Sequence, residues 1–177
     1  MGCSEAKTGA RLAELLALEY GVPPDEARQI RTAAALRDIG MQKIPAGILH
    51  KPGKLTGREL NIIKNHTRIG ADMLADIQGE LGVMARNICL HHHEYYDGGG
   101  YWGKNLCILP YYVEIAAIAG AYTSLVSGRP YRRAFTPIEA RRHIKTLAGT
   151  RFSRGLTEIF FQLVKNGDRV PALFVGG

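Results

Sequence analysis

Four groups of side chains in this sequence are of kinds that do chemistry. Asp38 lies between Arg37 and Ile39-Gly40 near the end of a helical pattern. His66 stands alone in the next long pattern, followed by Ile69-Gly70. His91-His92-His93-Glu94-Tyr95-Tyr96-Asp97 runs into Gly98-Gly99-Gly100-Tyr101, and Ser127-Gly128-Arg129-Pro130-Tyr131-Arg132-Arg133 is a basic turn. Imidazole together with carboxylate oxygen suits first-row transition metals and Mn. An Asp, a lone His and a His pair on separate helices is how helical bundles build metal sites. A single buried His is more often a satisfied core residue, so the metal reading rests on the adjacent His92 and His93 with Glu94 and Asp97. Cys89 shares their helix face and reads either as a thiolate ligand or as a small core thiol. In the basic turn, Arg129 and Arg132 offer guanidinium forks that grip phosphate bidentately; otherwise the turn is a solvated loop.

The elements that must position these groups read as helices. Leu12, Leu15, Leu16 and Tyr20 mark one apolar face over Ala10–Tyr20, which Gly21 ends. Pro24-Asp25-Glu26 opens a second helix with a proline and acidic residues in its first turn, running towards Gly40. Its run Ala33 to Ala35 would let another helix approach closely. Thr56-Gly57-Arg58-Glu59 is a capping-box signature for a third helix through Leu74, with His66 in its middle. A fourth covers Leu81 to His93. Pro110 to Leu125 is apolar nearly all round, which places it at the centre of a core. Thr136-Pro137-Ile138-Glu139 is a second capping box, and Ser153 caps the last helix. The best strand signal, Tyr111-Tyr112-Val113, falls inside a helical pattern. The prediction is one all-α domain over 1–177.

Composition narrows the function classes. Apolar residues make up 46% and charged residues 22% of the 177, an ordinary globular balance. No apolar run approaches the ~20 residues that cross a bilayer. The N-terminus carries neither a secretory signal nor a myristoylation pattern, and three scattered cysteines make no disulfide framework. A cytoplasmic setting without membrane is expected. The net charge of +7 favours anionic partners, but there is no Lys/Arg block of the kind that binds DNA.

These residues carry a family resemblance. Asp38-Ile39-Gly40, Ile44-Pro45, Leu49 and Lys51-Pro52-Gly53-Lys54-Leu55-Thr56 resemble the first signature block of the HD-GYP domain. His66 with Ile69-Gly70, then His92-His93-Glu94, Asp97-Gly98 and Gly100-Tyr101, resemble the middle blocks. Arg129-Pro130-Tyr131-Arg132 and Gly149-Thr150 with Phe152 resemble the closing ones. The similarity runs in order over about residues 8–163. It implies an HD-domain-like bundle of about six or seven helices and a metal-dependent phosphodiesterase acting on cyclic di-GMP. It also implies that Asp38, His66, His92 and His93 are metal ligands and that Arg129 and Arg132 bind phosphate or nucleotide.

The departures bear on function. The family has His where this chain has Arg37, and Lys where it has Met41. Its first-helix His is Thr8 here, its late Asp ligand is Gly120, and the Asp three residues on is Thr123. The Pro of Gly-Tyr-Pro is Trp102. Guanidinium groups stay protonated, so Arg37 sets a fixed cation where a neutral imidazole should coordinate, and it can pair with Asp38. The expectation is therefore a degenerate member with an incomplete ligand set. It would hold at most a weak divalent metal (Fe, Mn or Zn), with no cofactor held firmly and no confident catalytic residue beyond Asp38. It would act as a module binding cyclic di-GMP, a related nucleotide, or a signalling protein such as a diguanylate cyclase or receiver domain, or as a homodimer. The alternative is an active phosphodiesterase with a rearranged metal site recruiting His91, Glu94, Asp97 or Cys89.

Overall fold

Capped, amphipathic segments dictate a helical assembly. The structure, a computed structural model, describes residues 3–127 and 133–165, and among these there is no β-strand. The chain forms α1 (Cys3–Glu19), α2 (Pro24–Ala35), a 3₁₀ turn (Ile39–Lys43) and the single turn α3 (Ala46–Leu49). There follow α4 (Gly57–Lys64), α5 (His66–Met73), α6 (Gly79–His91) and a short 3₁₀ turn (Leu106–Ile108). α7 (Tyr111–Val126), α8 (Pro137–Thr146) and α9 (Arg154–Lys165) complete it.

The local signals act as the sequence predicts. Thr56 and Thr136 each accept the backbone N–H of the glutamate three residues on, and each glutamate returns the bond to the cap's N–H. Ser153 Oγ accepts from Leu156 N at 3.2 Å and starts α9. The helix expected over Thr56–Leu74 is divided. Asn65 N–H reaches both Asn61 O (3.3 Å) and Ile62 O (3.2 Å), a tightened turn after which α5 begins at His66.

α7 is the core helix, burying Val113, Ile115, Ala116, Ala117, Ile118, Ala119, Tyr122, Thr123 and Leu125. α1, α2, α6 and α8 pack around it. Leu12, Leu16, Ile30 and Ile88 are fully buried in this core. Such side chains contribute about 1.5–3 kcal/mol each on burial. Tyr122 and Phe160 meet edge to face, with centroids 5.3 Å apart, and seat α9. Ala33 and Ala34 are buried where α2 faces its neighbours, while Ala35 is exposed.

One crossing positions the functional residues. The 3₁₀ turn after Asp38 touches α5 backbone to backbone. A Cβ at Gly40 would collide with the His66 carbonyl oxygen and lie 2.6 Å from Gly70 N, and one at Gly70 would collide with Cys89 Sγ. The two glycines thus let the segment after Asp38, the start of α5 and the end of α6 converge.

Candidate metal centre

Asp38 leads the 3₁₀ turn, His66 opens α5, and His92 ends α6 with His93 following it. One potential ligand atom from each of the four lies within 4.8 Å of all the others. Asp38 Oδ1 stands 3.4 Å from both His66 Nε2 and His92 Nε2, and the two imidazole nitrogens are 3.5 Å apart. The far side of each ring is fixed by the backbone. His66 Nδ1 is 2.7 Å from Ile63 O; His92 Nδ1 is 3.0 Å from both Ile88 O and Cys89 O. With Nδ1 of each ring held at these carbonyls, both Nε2 atoms turn inward towards Asp38 Oδ1, which is how outer hydrogen bonds orient metal-ligating histidines. His93 stacks on Tyr101, with centroids 4.4 Å apart and planes 22° apart.

Electrostatics favour the ligating forms. Burial alone would raise the Asp38 carboxyl. Hydrogen bonds from His66 and His92, with the charges of His92 and Arg37, outweigh it and hold Asp38 well below the usual carboxylate range. Burial, reinforced by His92, holds His93 well below the usual imidazole range, so it is neutral. A carboxylate and three inward imidazole nitrogens on three converging segments fit one divalent ion.

The other oxygen of Asp38 is taken. Arg37 Nε lies 3.0 Å from Asp38 Oδ2, and Arg37 NH1 donates to Ala34 O at 3.3 Å; the side chain is 3% exposed. Its guanidinium occupies space that two glycines leave open. A Cβ at Gly120 on α7 would sit 3.0 Å from Arg37 Nε, and one at Gly9 on α1 would sit 3.0 Å from Arg37 NH1. Thr123 Oγ1, beside them, donates to Ala119 O at 2.8 Å within its own helix. Thr8, next to Gly9 on α1, is half-buried. Met41 lies half-buried in the 3₁₀ turn.

Three of the four side chains that a rearranged site would recruit have other employment. Cys89 Sγ donates to Arg37 O at 3.2 Å, and burial together with the Asp38 charge pushes its thiol up to about 12. The buried Glu94 clasps the following loop, its two oxygens accepting from Trp102 N and Lys104 N at 2.8 Å each. Asp97 Oδ1 accepts from Gly99 N at 2.9 Å. His91 Nδ1 is buried without a hydrogen-bond partner, and His91 stands outside the four-residue cluster. Arg129 and Arg132 lie outside the described residues.

A model of the HD domain matches residues 3–156. Cyclic di-GMP phosphodiesterase response regulator RpfG of Xanthomonas campestris pv. campestris is 38% identical over 144 residues, covering 81% of this chain and 38% of that protein. The chain belongs to the HD-GYP family of HD domains. A cyclic di-GMP phosphodiesterase of Thermotoga maritima is 38% identical to this HD-GYP domain over 151 residues, covering 85% of it and 41% of that protein. The 3'3'-cGAMP-specific phosphodiesterase 2 of Vibrio cholerae is 34% identical over 150 residues, covering 84% and 29%. The domain thus spans less than half the length of these curated relatives. Among solved structures, Bd1817, an HDG"Y"P protein of Bdellovibrio bacteriovorus, has the same fold. It superposes with a TM-score of 0.74 at 18% identity, over 93% of this chain and 53% of that one. No helix among the described residues is long and apolar enough to cross a membrane.

The HD-GYP domain also contains contacts that its sequence did not announce. Lys64, Arg68 and Arg151 lie over the rings of Tyr101, Trp102 and Tyr95. Trp102 Nε1 donates to Thr67 Oγ1 at 3.0 Å, fastening the loop after α6 to α5. The spacing of Lys64 and Arg68, one helical turn apart on either side of His66, was the available signal.

Proposed function

We propose that this HD-GYP domain works in cyclic di-GMP signalling as a catalytically impaired regulatory module that binds a nucleotide or a partner protein. The ligand class follows from relatives named as cyclic di-GMP or 3'3'-cGAMP phosphodiesterases. The impairment rests on one observation, the Arg37 guanidinium held against Asp38 Oδ2 between Gly9 and Gly120. Asp38 Oδ1, His66, His92 and His93 would hold one divalent ion, Fe, Mn or Zn, which supplies positive charge to a phosphate oxygen. A second ion would need the other Asp38 oxygen and further ligands. Arg37 holds that oxygen, and Gly120, Thr123 and Thr8 supply neither carboxylate nor imidazole. Asp38 is therefore a single-ion ligand, and Arg37 a fixed single charge in place of a second divalent one. Should the nucleotide be absent, the remaining occupant is a signalling protein such as a diguanylate cyclase or receiver domain.

Metal analysis and a hydrolysis assay test the reading together. After exchange into metal-free buffer, the purified protein should retain at most one equivalent of Fe, Mn or Zn. Hydrolysis of cyclic di-GMP should be absent or very slow, since each ~1.4 kcal/mol of lost transition-state stabilisation costs tenfold in rate. Two equivalents of metal, or ordinary turnover abolished by His92→Ala, would replace this reading with that of an active phosphodiesterase.

A further inference from the structure

We propose that Lys64, Arg68 and Arg151 form a rim that binds the phosphates of an anionic ligand beside the Asp38–His66–His92–His93 cluster. The proposal deepens the functional reading and rests on it only for the kind of ligand. Its starting point is where the unpaired basic residues sit: Arg141 and Lys145 on α8 share the ring of Phe161, whereas three others gather on the loop beside the cluster. Arg11 and Arg31 pair with Glu14, Arg28 with Asp25, Arg37 with Asp38, Lys51 with Glu59 and Arg133 with Glu139. Lys64, Arg68 and Arg151 make no ion pair among the described residues. Each instead lies over an aromatic ring of the loop that follows the two histidines.

Lys64 Nζ is 5.2 Å from the centroid of Tyr101, the ring that stacks on His93. Arg68 Cζ is 3.6 Å from the centroid of Trp102. Arg151 Cζ is 5.1 Å from that of Tyr95 and 5.2 Å from that of Phe152. A ring face orients a cation without cancelling its charge, so the donors of all three remain available. Arg151 Nε, like Arg141 Nε on α8, is buried and meets no hydrogen-bond partner, and of the two it is Arg151 that lies over the loop beside the cluster. Such a group points to an acceptor that the protein itself does not supply.

The backbone holds this arrangement in register. Tyr96 N donates to Arg151 O at 3.1 Å and Asp97 N to Thr150 O at 3.0 Å, joining the loop to the turn that carries Arg151. Trp102 is fastened to Thr67, between Lys64 and Arg68, at 3.0 Å. The acids of the loop do not compete, since Glu94 accepts two backbone N–H groups and Asp97 one. Arg151 lies over Tyr95, two residues after His93, which places it beside the cluster. Two guanidiniums and an ammonium, unpaired and flanking a possible metal site, match the phosphates of a nucleotide.

Calorimetry at low salt, without added metal, tests the rim with two probes, inorganic pyrophosphate and cyclic di-GMP. Lys64→Ala and Arg151→Gln should each weaken pyrophosphate binding about tenfold or more, the scale of a charge-assisted hydrogen bond. Arg68→Ala should weaken it in the same direction, and Arg151→Lys should recover part of the loss. Arg142→Ala, removing an exposed cation on α8 away from these rings, should leave binding unchanged. Thermal melts identify any variant that fails to fold; Lys64 is only half-buried, so its variant remains informative if Arg151→Gln is not. Unchanged pyrophosphate affinity in Lys64→Ala and Arg151→Gln overturns the rim, as does no pyrophosphate binding by the unmodified protein. If pyrophosphate binding depends on the rim while cyclic di-GMP does not bind, the rim stands and the nucleotide assignment above falls.

Discussion

Replacing Arg37 with methionine keeps most of the side-chain length and removes the charge, and it should push two measurements in opposite directions. Without metal, Asp38 loses the cation 3.0 Å from its Oδ2. Removing one partner of a buried ion pair costs about 3–5 kcal/mol. Asp38 keeps His66 and His92 on its other oxygen and is 18% exposed, so the lower end applies, about 3 kcal/mol. For a protein of this size that lowers Tm by roughly 6–12 °C. Metal binding should tighten at the same time. Two unit charges 4 Å apart interact by about 4 kcal/mol at an effective dielectric of ~20. Relief of even a third of such repulsion improves Kd about tenfold. A divalent ion at 100 times its Kd adds about 2.7 kcal/mol, close to what the substitution removed. Thermal melts with chelator and with graded Mn²⁺ or Zn²⁺, together with titration calorimetry, read both quantities. A metal-free variant as stable as the parent, or one whose metal affinity does not rise, would refute the assignment of Arg37 as the occupant of the second cation position.

Three further outcomes follow from the same packing. Gly40→Ala or Gly70→Ala should lower stability by about 2–3 kcal/mol, because each added Cβ meets backbone or sulfur that cannot withdraw, and thermal melts will show it. In a Cys3→Ser background, Cys107 should alkylate readily at pH 8 while Cys89, with its thiol at about 12, reacts at least a thousandfold more slowly until the protein unfolds. Because this acid is raised on folding, its contribution to stability is present below the ordinary thiol pKa near 8.5 and is lost as pH climbs towards 12. Gly120→Ala should destabilise the parent through its contact with the guanidinium, but be nearly neutral once Arg37 is methionine; additive effects in that double-mutant cycle would contradict the contact.

The sequence made the helices, their caps and the central place of α7 readable, because those depend on periodicity and on side chains close in the chain. Thr56 and Thr136 form the expected boxes, and Tyr111–Val126 is apolar on every face because it is enclosed. The motif also singled out Asp38, His66, His92 and His93, which the fold brings together. The direction of Arg37 was harder to read. Periodicity does not say that a guanidinium runs towards α7, or that glycines on α1 and α7 leave room for it. Nor did it reveal the break at Asn65, since Leu60, Ile63, Ile69 and Met73 continue one apolar pattern through a tightened turn. The aromatic seats of Lys64, Arg68 and Arg151 are tertiary contacts between segments far apart in sequence, and beyond the spacing of Lys64 and Arg68 around His66 they carry no local signature.

Arg37 and Gly120 are best understood as one exchange. A guanidinium is larger than an imidazole, and it reaches Asp38 Oδ2 only because no side chain projects from Gly120 or Gly9 into its path. Conversely, an uncharged residue at 37 would leave the buried Asp38 carboxylate without a cation on one side. The three positions are thus coupled in volume and in charge: two glycines leave the space that the Arg37 guanidinium fills with bulk and positive charge. The rest of the centre shows no comparable loss. His66 and His92 retain the backbone hydrogen bonds that aim their Nε2 atoms inward, and Gly40 and Gly70 retain the close crossing that brings them to Asp38. Asp38 Oδ1 and the three imidazoles thus stand together as one possible ligand set, while Arg37 is held against the other oxygen of Asp38.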